Sequence, residues 1–255
     1  MPALRNVEGD DLMPRVAATG ALARLPLYEG AMSNGIANTG RFVIDLALTS
    51  AQRQAACDLI NRKYGWRGYG SDHRLNETGG CATFAALVEE RLVGTLSLTV
   101  DSPARLAADE TFSDLLDSVR QAPGTRLCEL TKFAVLDKVM PMHVLASLFH
   151  TIFIFGTGRY ECTDLLIEVN PRHIRFYEVM LEFERLGELR MNHSVGAPSQ
   201  LMRLKVADIG RNIQRHAGNR TRRGRSLYPY FLTAAQECLI QERMAHLDQR
   251  WPFAL

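Results

Sequence analysis

Two stretches decide the fold of this chain: CELTKFAV at residues 128–135 and LIEVNPRHIRFY at residues 166–177. Each is an apolar run of β-strand character that ends in polar side chains. The second runs directly into a helix, because Pro171 suits the first helical position. Ligands of open α/β sheets bind where strands end. The two stretches therefore predict a binding site formed by two strand ends.

The flanking sequence predicts a mixed α/β domain around these two strands. Thr49 and Ser50 are helix-capping residues, and Glu89 and Glu90 form the polar tip of a hairpin. Short β-α-β connections favour a mixed sheet with helices on both faces. The predicted strands cover residues 42–48, 82–88, 91–100, 126–135, 163–169 and 200–206, and the predicted helices cover residues 51–64, 109–120, 141–158 and 171–182.

The domain occupies residues 41–206 in this interpretation, with extensions at both ends. Residues 1–40 show no sustained periodicity and are expected to form an N-terminal arm, either loosely ordered or adding a strand. Residues 207–255 are expected to form a helical C-terminal extension. It contains helices over 208–217 and 230–249 and an arginine-rich segment between Arg211 and Arg225.

Composition excludes several classes of protein. The chain has 255 residues, 46% of them hydrophobic, and a net charge of +2, which is too small to indicate a nucleic-acid or membrane partner. Its five cysteines form no C-x-x-C pair, which argues against a metal site or a disulfide framework and indicates a reducing, cytoplasmic setting. The most apolar stretch, residues 144–155, is shorter than the roughly 20 residues needed to cross a bilayer, so we expect no transmembrane segment.

The chain resembles the long-chain N-acyl amino acid synthases, relatives of the acyl-homoserine lactone autoinducer synthases within the GNAT acyltransferase fold. The resemblance spans about residues 42 to 206. It rests on ELTK at 129–132, EVNPRH at 168–173 and FY at 176–177, with weaker similarity in YGWRGY at 64–69 and GTLSL at 94–98. It implies a GNAT-like sheet and an N-acyltransferase that joins a fatty acyl group to the amine of an amino acid.

Glu129 is the predicted general base of that reaction. Amide formation from a thioester needs an uncharged amine, and an α-amino group with a pKa of roughly 8 is mostly protonated at neutral pH. Glu129 lies between apolar residues in a strand, where desolvation raises a carboxyl pKa towards the useful range. The resemblance places a glutamate of this motif in the active site. The alternative is a structural ion pair with Lys132 or an arginine.

Residues near the two strand ends are the predicted substrate-binding groups. Thr131 should face the same side of its strand as Glu129, whereas Lys132 faces the other side unless a bulge intervenes. The resemblance also implies splayed central strands whose backbone N–H groups polarise the thioester carbonyl. Asn170 is expected to hydrogen-bond the ligand, and Arg172 to bind the carboxylate of the amino acid in bidentate fashion.

Three aromatic and basic residues could complete the acceptor side. Tyr177 lies one helical turn beyond Arg172, where it contacts either the ligand or the core. Arg67 and Tyr69 belong to a loop that closes over the acceptor in GNAT enzymes. We expect Trp66, in the same loop, to be packed against the protein. For Lys132 and Arg172, the alternative to ligand binding is a charged side chain that points to solvent.

The predicted acyl donor is an acyl carrier protein thioester, and no cofactor is expected. GNAT enzymes that use coenzyme A carry a glycine-containing pyrophosphate loop, but here residues 136–143 read LDKVMPMH without a glycine. Carrier proteins are acidic, and between Arg211 and Arg225 the chain has six arginines and no acid. A solvated loop is the alternative to a carrier-docking patch. The docking residues would be Arg220, Arg222, Arg223 and Arg225.

Three rival functions remain open at this point. An autoinducer synthase would join an acyl group to S-adenosylmethionine, but no acidic cluster is clearly placed for a sulfonium ligand. A nucleic-acid-binding protein could use the arginine-rich segment, although that segment has no interleaved aromatic residue and we expect no nucleic-acid partner. A non-catalytic acyl-binding protein is the third. For the enzyme, a lipid product also leaves room for peripheral membrane contact.

Overall fold

A computed structural model describes residues 26–33, 39–75, 80–136, 140–219 and 225–248. Nine strands form the sheet in the order β1-β2-β3-β4-β5-β6-β9-β7, and β8 pairs with β9. Among the described strands, β5 and β6 pair in parallel and the other pairs are antiparallel. The strands are β1 Tyr28–Ser33, β2 Thr39–Leu46, β3 Cys81–Val88, β4 Arg91–Val100, β5 Leu127–Val135, β6 Asp164–Val169, β7 Glu184–Arg185, β8 Arg190–Asn192 and β9 Ala197–Lys205.

Two helices begin where the sequence predicted, one after Thr49 and one at Pro171. The Thr49 side chain accepts a hydrogen bond from the Gln52 amide and completes a capping box, and Asn170 caps the helix that Pro171 starts. The helices are α1 Ser50–Trp66, α2 Asp109–Arg120, α3 Met142–Tyr160, α4 Pro171–Leu181, α5 Val206–His216 and α6 Ala234–Asp248, with a short 3₁₀ helix at Tyr228–Tyr230.

The predicted mixed sheet is confirmed, and so is each predicted strand and helix of the central region. Two details differ from the predictions. The last helix begins at Ala234 rather than at residue 230, because the preceding residues form the 3₁₀ helix. Strands β7 and β8 occupy a connection for which no strand was predicted, and they are only two and three residues long. Of the N-terminal arm, residues 28–33 form the added strand β1, whereas residues 1–25 and 34–38 lie outside the described part.

Helices cover both faces of the sheet. A side chain added at Gly156 of α3 would contact Leu98 of β4, so Leu98 points towards α3. Leu127 points to the other face, where it packs in a smaller core with Phe112 and Leu116 of α2. Side chains alternate along a strand. Glu129 therefore lies on the α2 face, directly beyond that smaller core.

The two central strands separate halfway along their length. The parallel pairing of β5 with β6 runs from Leu127↔Asp164 to Leu130↔Ile167, although β5 continues to Val135. A β-bulge at the point of separation adds one residue to β5, because Thr95 and Ser97 of β4 pair with Ala134 and Thr131. The sheet therefore opens at the ends of the two strands that the sequence singled out.

The C-terminal extension packs on α3. His150 of α3 is fully buried; its Nδ1 accepts a hydrogen bond from the Leu232 amide at 2.8 Å, and its Nε2 lies 2.6 Å from a carboxylate oxygen of Glu237. These partners define a neutral histidine that carries its proton on Nε2. α3 is the buried helix that the apolar stretch predicted. No helix within the described ranges combines the length and the apolar character that crossing a membrane requires.

Candidate active site

A cavity of about 550 Å³ opens where β5 and β6 separate. Its walls come from β5, β6, the α1–β3 loop, α3, α4 and the β8–β9 hairpin. The predicted site residues that line it are Glu129, Thr131, Lys132, Asn170, Tyr177, Arg67 and Tyr69. The structure thus brings together seven side chains that the sequence predicted from three separate segments.

Glu129 is the buried carboxyl group of this cavity, with 1% of its surface exposed. Its pKa is raised from the ordinary value of 4.5 to about 8; burial is the largest cause, and the nearby carboxylates Glu168 and Asp109 act in the same direction. Hydrogen bonds from the Ala108 and Ala107 amides act in the opposite direction; the Ala108 amide lies 3.3 Å from Oε2. The predicted rise in pKa by desolvation is confirmed. A carboxyl group with this pKa can exchange a proton near neutral pH.

The amides that contact Glu129 belong to the turn that enters α2, and Arg120 holds that turn in place. Its guanidinium donates to both carboxylate oxygens of Asp109 at 2.6 and 2.7 Å, and to both oxygens of Asp101 at 2.6 and 2.9 Å. Burial alone would raise the pKa of Asp109, but hydrogen bonds from Arg120 and the Leu106 amide hold it below its ordinary value. We call this arrangement of Arg120, Asp101 and Asp109 the α2 clamp.

The bulge in β5 determines where Lys132 points. Lys132 adopts a left-handed backbone conformation with φ +55°, which costs energy in a residue with a side chain. The Thr95 hydroxyl donates to its carbonyl oxygen at 3.1 Å. Because the bulge intervenes, Lys132 lines the same cavity as Glu129 and Thr131 instead of facing the opposite side. Lys132 has no ion-pair partner within the described ranges, so the structural ion pair with Glu129 is not formed.

Glu168 is a cavity residue to which the sequence analysis gave no role. It lies at the end of β6, where its Oε1 accepts hydrogen bonds from Ser199 Oγ at 2.5 Å and from Asn192 Nδ2 at 2.6 Å. Both donors belong to the β8–β9 hairpin and also line the cavity. Glu168 is part of the quoted motif, but its partners lie 24 and 31 residues away in sequence. That distance is why their contact could not be predicted.

The α1–β3 loop forms a wall over the acceptor side of the cavity. Asn61 of α1 fixes the loop by bonding both the amide and the carbonyl of His73 at 2.6 and 3.1 Å, and His73 Nε2 lies 2.8 Å from the Tyr69 carbonyl oxygen. Arg67 lines the cavity, and its positive charge acts on Tyr64 and Tyr177. The expected packing of Trp66 is wrong, since 81% of this side chain is exposed.

Arg172 is exposed and lies outside the cavity lining. It donates to the Tyr69 hydroxyl at 2.7 Å, and its guanidinium carbon lies 5.5 Å from the centre of the Tyr69 ring. Its Nε donates to His173 Nε2 at 3.1 Å. Burial and the charges of Arg172 and Arg67 lower the pKa of His173, which suits a neutral acceptor. Arg172 therefore connects the start of α4 to the loop wall in this structure.

Asn170 and Tyr177 both line the cavity, and each also has a structural role. The Asn170 side chain caps α4 by accepting from the Arg172 amide at 3.2 Å. Tyr177 is buried and contacts the rings of Phe176 and Phe183; burial raises its pKa well above the ordinary value. Tyr177 thus serves the core and the cavity wall at once.

The arginine-rich segment lies away from the cavity as far as it is described. Arg220, Arg222 and Arg223 fall outside the described residues. Arg225 is exposed and lies two residues before Leu227, whose amide donates to Met180 at the far end of α4. Arg211 and Arg215 belong to α5 and line a polar recess that also contains Glu182, Glu184 and Asp208. The structure does not bring these arginines together with Glu129.

The site holds no residue cluster typical of a metal centre. Among the described residues, no group of three or more histidine, cysteine, aspartate or glutamate side chains could hold a metal ion. The apolar part of the cavity is formed by Leu96, Phe133, Val135 and Phe149. The cavity combines one buried titratable carboxyl group, cationic side chains and an apolar wall. This combination suits proton transfer and acyl binding.

Fold and site together define a GNAT-fold N-acyltransferase. A family model described as N-acyl amino acid synthase FeeM matches residues 55–205, more than half of the chain. The chain belongs to this family. The structure of FeeM, an N-acyl amino acid synthase from uncultured soil microbes, is 27% identical with a TM-score of 0.61; the similarity covers 67% of this chain and 94% of FeeM.

A second solved structure supports the fold. The AHL synthase LasI is 11% identical with a TM-score of 0.51, over 66% of this chain and 91% of LasI; at this identity the likeness shows the fold alone. None of the curated protein sequences compared matches this chain. Membership of a synthase family identifies the protein as an enzyme, so the non-catalytic interpretation is wrong.

Proposed function

We propose that this N-acyltransferase joins a long-chain acyl group, delivered as an acyl carrier protein thioester, to the amine of an amino acid. The observation that carries the proposal is the buried Glu129, with its pKa raised to about 8, at the point where β5 and β6 separate. Amide synthesis needs a base of this strength beside a thioester site. Membership of the N-acyl amino acid synthase family supports an amino acid as acceptor.

Glu129 acts as the general base in this mechanism. The ionised carboxylate removes a proton from the acceptor ammonium, directly or through one water molecule, and leaves an amine that attacks the thioester carbonyl carbon. With a pKa of about 8, roughly a tenth of the free enzyme is in the ionised form at pH 7. The Ala108 and Ala107 amides stabilise that ionised form, so the α2 clamp sets how readily the base forms.

The bulged segment of β5 provides the surface that binds the thioester. Beyond Leu130 the edge of β5 faces the cavity instead of β6, so backbone N–H groups there are available to a carbonyl oxygen. Lys132 contributes a positive charge on the same side. Backbone donors and a cation aimed at a developing oxyanion lower the barrier to acyl transfer.

Arg67 is the best-placed cation for the acceptor carboxylate. It lines the cavity and forms no ion pair with any described residue, whereas Arg172 is engaged with Tyr69. An arginine inside a partly enclosed cavity binds a carboxylate more strongly than an exposed one, because less water screens the interaction. Arg172 then acts through Tyr69, by holding the loop wall against the start of α4.

The acyl chain occupies the apolar side of the cavity, between β4, β5 and α3. Leu96 is buried on β4, and the rings of Phe133 and Phe149 contact each other with their centres 5.6 Å apart. Each methylene group transferred from water to such a surface contributes about 0.8 kcal/mol. A long chain therefore gains more than a short one.

The start of α3 supports a carrier-protein donor. Pro141 caps this helix without a side-chain hydrogen bond, and the preceding segment contains no glycine to let backbone amides surround a diphosphate. A carrier protein presents a single phosphate and a protein surface. This favours the carrier-protein thioester over acyl-coenzyme A.

The arginine-rich segment is the proposed docking patch, and its position determines how far the pantetheine arm of the donor must reach. α5 follows β9, whose end pairs with Asp164 at the start of β6, while the cavity opens at the other end of β6. Six residues of strand span about 20 Å. A carrier bound at Arg225 must therefore extend its pantetheine arm along that distance, and the three carboxylates beside Arg211 reduce the local positive field.

Purified protein supplied with matched donors tests the proposal. Acyl carrier protein and coenzyme A, loaded with the same long acyl chain, are incubated in turn with a mixture of the common amino acids, and products are identified by mass spectrometry. We expect N-acyl amino acids, formed much faster from the carrier-protein donor. Acyl-homoserine lactone formed only with S-adenosylmethionine would instead identify an autoinducer synthase, and no amide product from either donor would refute the proposal.

Salt and a docking variant separate the donor chemistry from the docking patch. Raising salt from about 50 to about 300 mM should weaken use of the carrier-protein donor as the Debye length falls below about 10 Å. Serine substitution should raise KM for the carrier-protein donor and leave a short acyl-pantetheine donor unaffected. The substituted residues are Arg220, Arg222, Arg223 and Arg225. If coenzyme A proves the equal donor and the variant behaves as wild type, both ideas are wrong.

A further inference from the structure

Glu168 places a second carboxylate in the cavity, and the proposed mechanism gives it no task. Ser199 and Asn192 both donate to one of its oxygens, Oε1, at 2.5 and 2.6 Å. Its other oxygen, Oε2, has no hydrogen-bond partner among the residues that the structure describes, and no described lysine, arginine or histidine forms an ion pair with Glu168. One half of the carboxylate is held rigidly, and the other half is available.

Glu168 and Glu129 face the same space. Glu129 is paired with Leu166 across the parallel ladder, and Glu168 lies two residues beyond Leu166, so alternation puts both glutamates on the α2 face. Glu168 is close enough to raise the pKa of Glu129. Two carboxylates with different surroundings in one cavity commonly divide the work of binding and proton transfer.

The geometry points to Glu168 Oε2 as the group that binds the ammonium of the incoming amino acid, leaving Glu129 to remove its proton. This inference rests on the proposed function, because it assumes an acceptor with a charged amine. A carboxylate fixed by two donors loses little freedom when it accepts a further hydrogen bond from an ammonium. Glu129 is poorly suited to that binding step, since burial favours its neutral form.

The reaction balances with the two roles separated. The acceptor binds as R–NH₃⁺ on Glu168, and ionised Glu129 removes one proton to give R–NH₂ and a neutral Glu129. The nitrogen lone pair attacks the thioester carbonyl carbon, the C–S bond of the tetrahedral intermediate breaks, and the nitrogen loses a second proton. One of the two protons ends on the departing thiol, and the other is released to solvent. No oxidant or other co-reactant is needed.

Binding at Glu168 also prepares the base. The ammonium brings a positive charge beside Glu129, and a nearby opposite charge lowers a carboxyl pKa. Neutralising Glu168 at the same time removes one of the contributions that raise the pKa of Glu129. The base therefore ionises more readily when an acceptor is present than when the cavity is empty.

Calorimetric titration without donor tests the subsite by comparing two ligands. The first is the amino acid recovered from the product of the donor experiment, and the second is its α-hydroxy acid counterpart, which keeps the carboxylate and side chain but lacks the ammonium. At about pH 6.5 the amine is charged. Glu168→Gln keeps an oxygen for Ser199 and Asn192 but removes the negative charge. We expect it to weaken binding of the amino acid about tenfold or more and to change binding of the hydroxy acid less than about twofold.

Two further variants keep the result interpretable. Ser199→Ala leaves the charge but frees Glu168 on one side, so it should weaken amino acid binding about threefold and spare the hydroxy acid. Glu178→Gln, on the outer side of α4 where Glu178 pairs with Arg185, is the matched control and should change neither. The inference is overturned if Glu168→Gln leaves both affinities unchanged or weakens both equally. Failure to recover any N-acyl amino acid would overturn the proposed function itself.

Discussion

Replacing Glu129 by glutamine should make the protein more stable at neutral pH while it lowers activity. The substitution keeps the size of the side chain and an oxygen that can accept from the Ala108 amide, but it removes the ability to ionise. Wild-type Glu129 is 1% exposed, and a buried carboxyl group resists ionisation. The fold therefore carries a cost at neutral pH that the variant does not.

The size of this cost follows from the two pKa values. In the folded state the pKa is about 8, compared with an ordinary value of 4.5 for the unfolded chain. Between these values unfolding releases a proton, so the free energy of unfolding falls as pH rises, by about 1.4 kcal/mol per pH unit. The contribution of Glu129 to the free energy of unfolding is fully present below pH 4.5. It has fallen by roughly 3 kcal/mol at pH 7 and stops changing above about pH 8.

Urea unfolding at several pH values between about 5 and 8 measures the effect, with wild type and Glu129→Gln compared at each pH. Taking the difference cancels the other titrating groups. We expect the free energy of unfolding of the variant to increase steadily relative to that of wild type as pH rises. A difference in unfolding free energy that stays constant over this range would show that Glu129 ionises normally, and would refute its assignment as a base with an elevated pKa. In the same variant, acyl transfer should fall by at least about tenfold.

Two further predictions concern residues around the base. Arg120→Gln loosens the α2 clamp and weakens the amides that stabilise ionised Glu129, so the rise of activity with pH should move to higher pH and the rate at pH 7 should fall about threefold to tenfold. Arg185→Gln, at an exposed arginine that pairs with Glu178 and not with the clamp, is the control, and an unshifted pH–rate profile for Arg120→Gln would remove the clamp from the mechanism. Arg67→Ala should raise KM for the amino acid about tenfold or more and leave KM for the donor unchanged, whereas Arg172→Ala should raise the amino acid KM only about twofold. A larger effect at Arg172 would assign the carboxylate to it instead.

Local sequence signals account for the elements and for the position of Glu129. Apolar alternation, the Thr49 cap and the proline at the start of α4 act within a few residues, so they predict strands and helices without knowledge of the rest. The elevated pKa of Glu129 was also predictable, because an acid between apolar strand residues is desolvated in almost any sheet. These parts of the site needed no long-range information.

The contacts that select among candidate residues were not predictable in the same way. Arg67 and Arg172 are both cations near the predicted site, and only the fold of the α1–β3 loop engages one with Tyr69 and leaves the other in the cavity. The side of the strand on which Lys132 lies depended on a bulge, and the sequence did not show whether that bulge was present. Glu168 lies within the motif itself, but its partners come from a hairpin whose first strand, β8, is only three residues long and was not predicted.

The separation of β5 from β6 destabilises the fold and also creates the site that the chemistry needs. Opening the ladder beyond Leu130 gives up backbone pairing that a continuous sheet would keep, and the bulge adds the strain of a left-handed Lys132. The space gained buries Glu129, whose carboxyl group destabilises the fold most at the pH where it is most useful as a base. An acceptor that carries its own positive charge offsets this conflict, since its ammonium favours ionised Glu129 only while it is bound. Glu129 is therefore ionised to the greatest extent when a substrate is bound, and the free enzyme holds it mostly neutral.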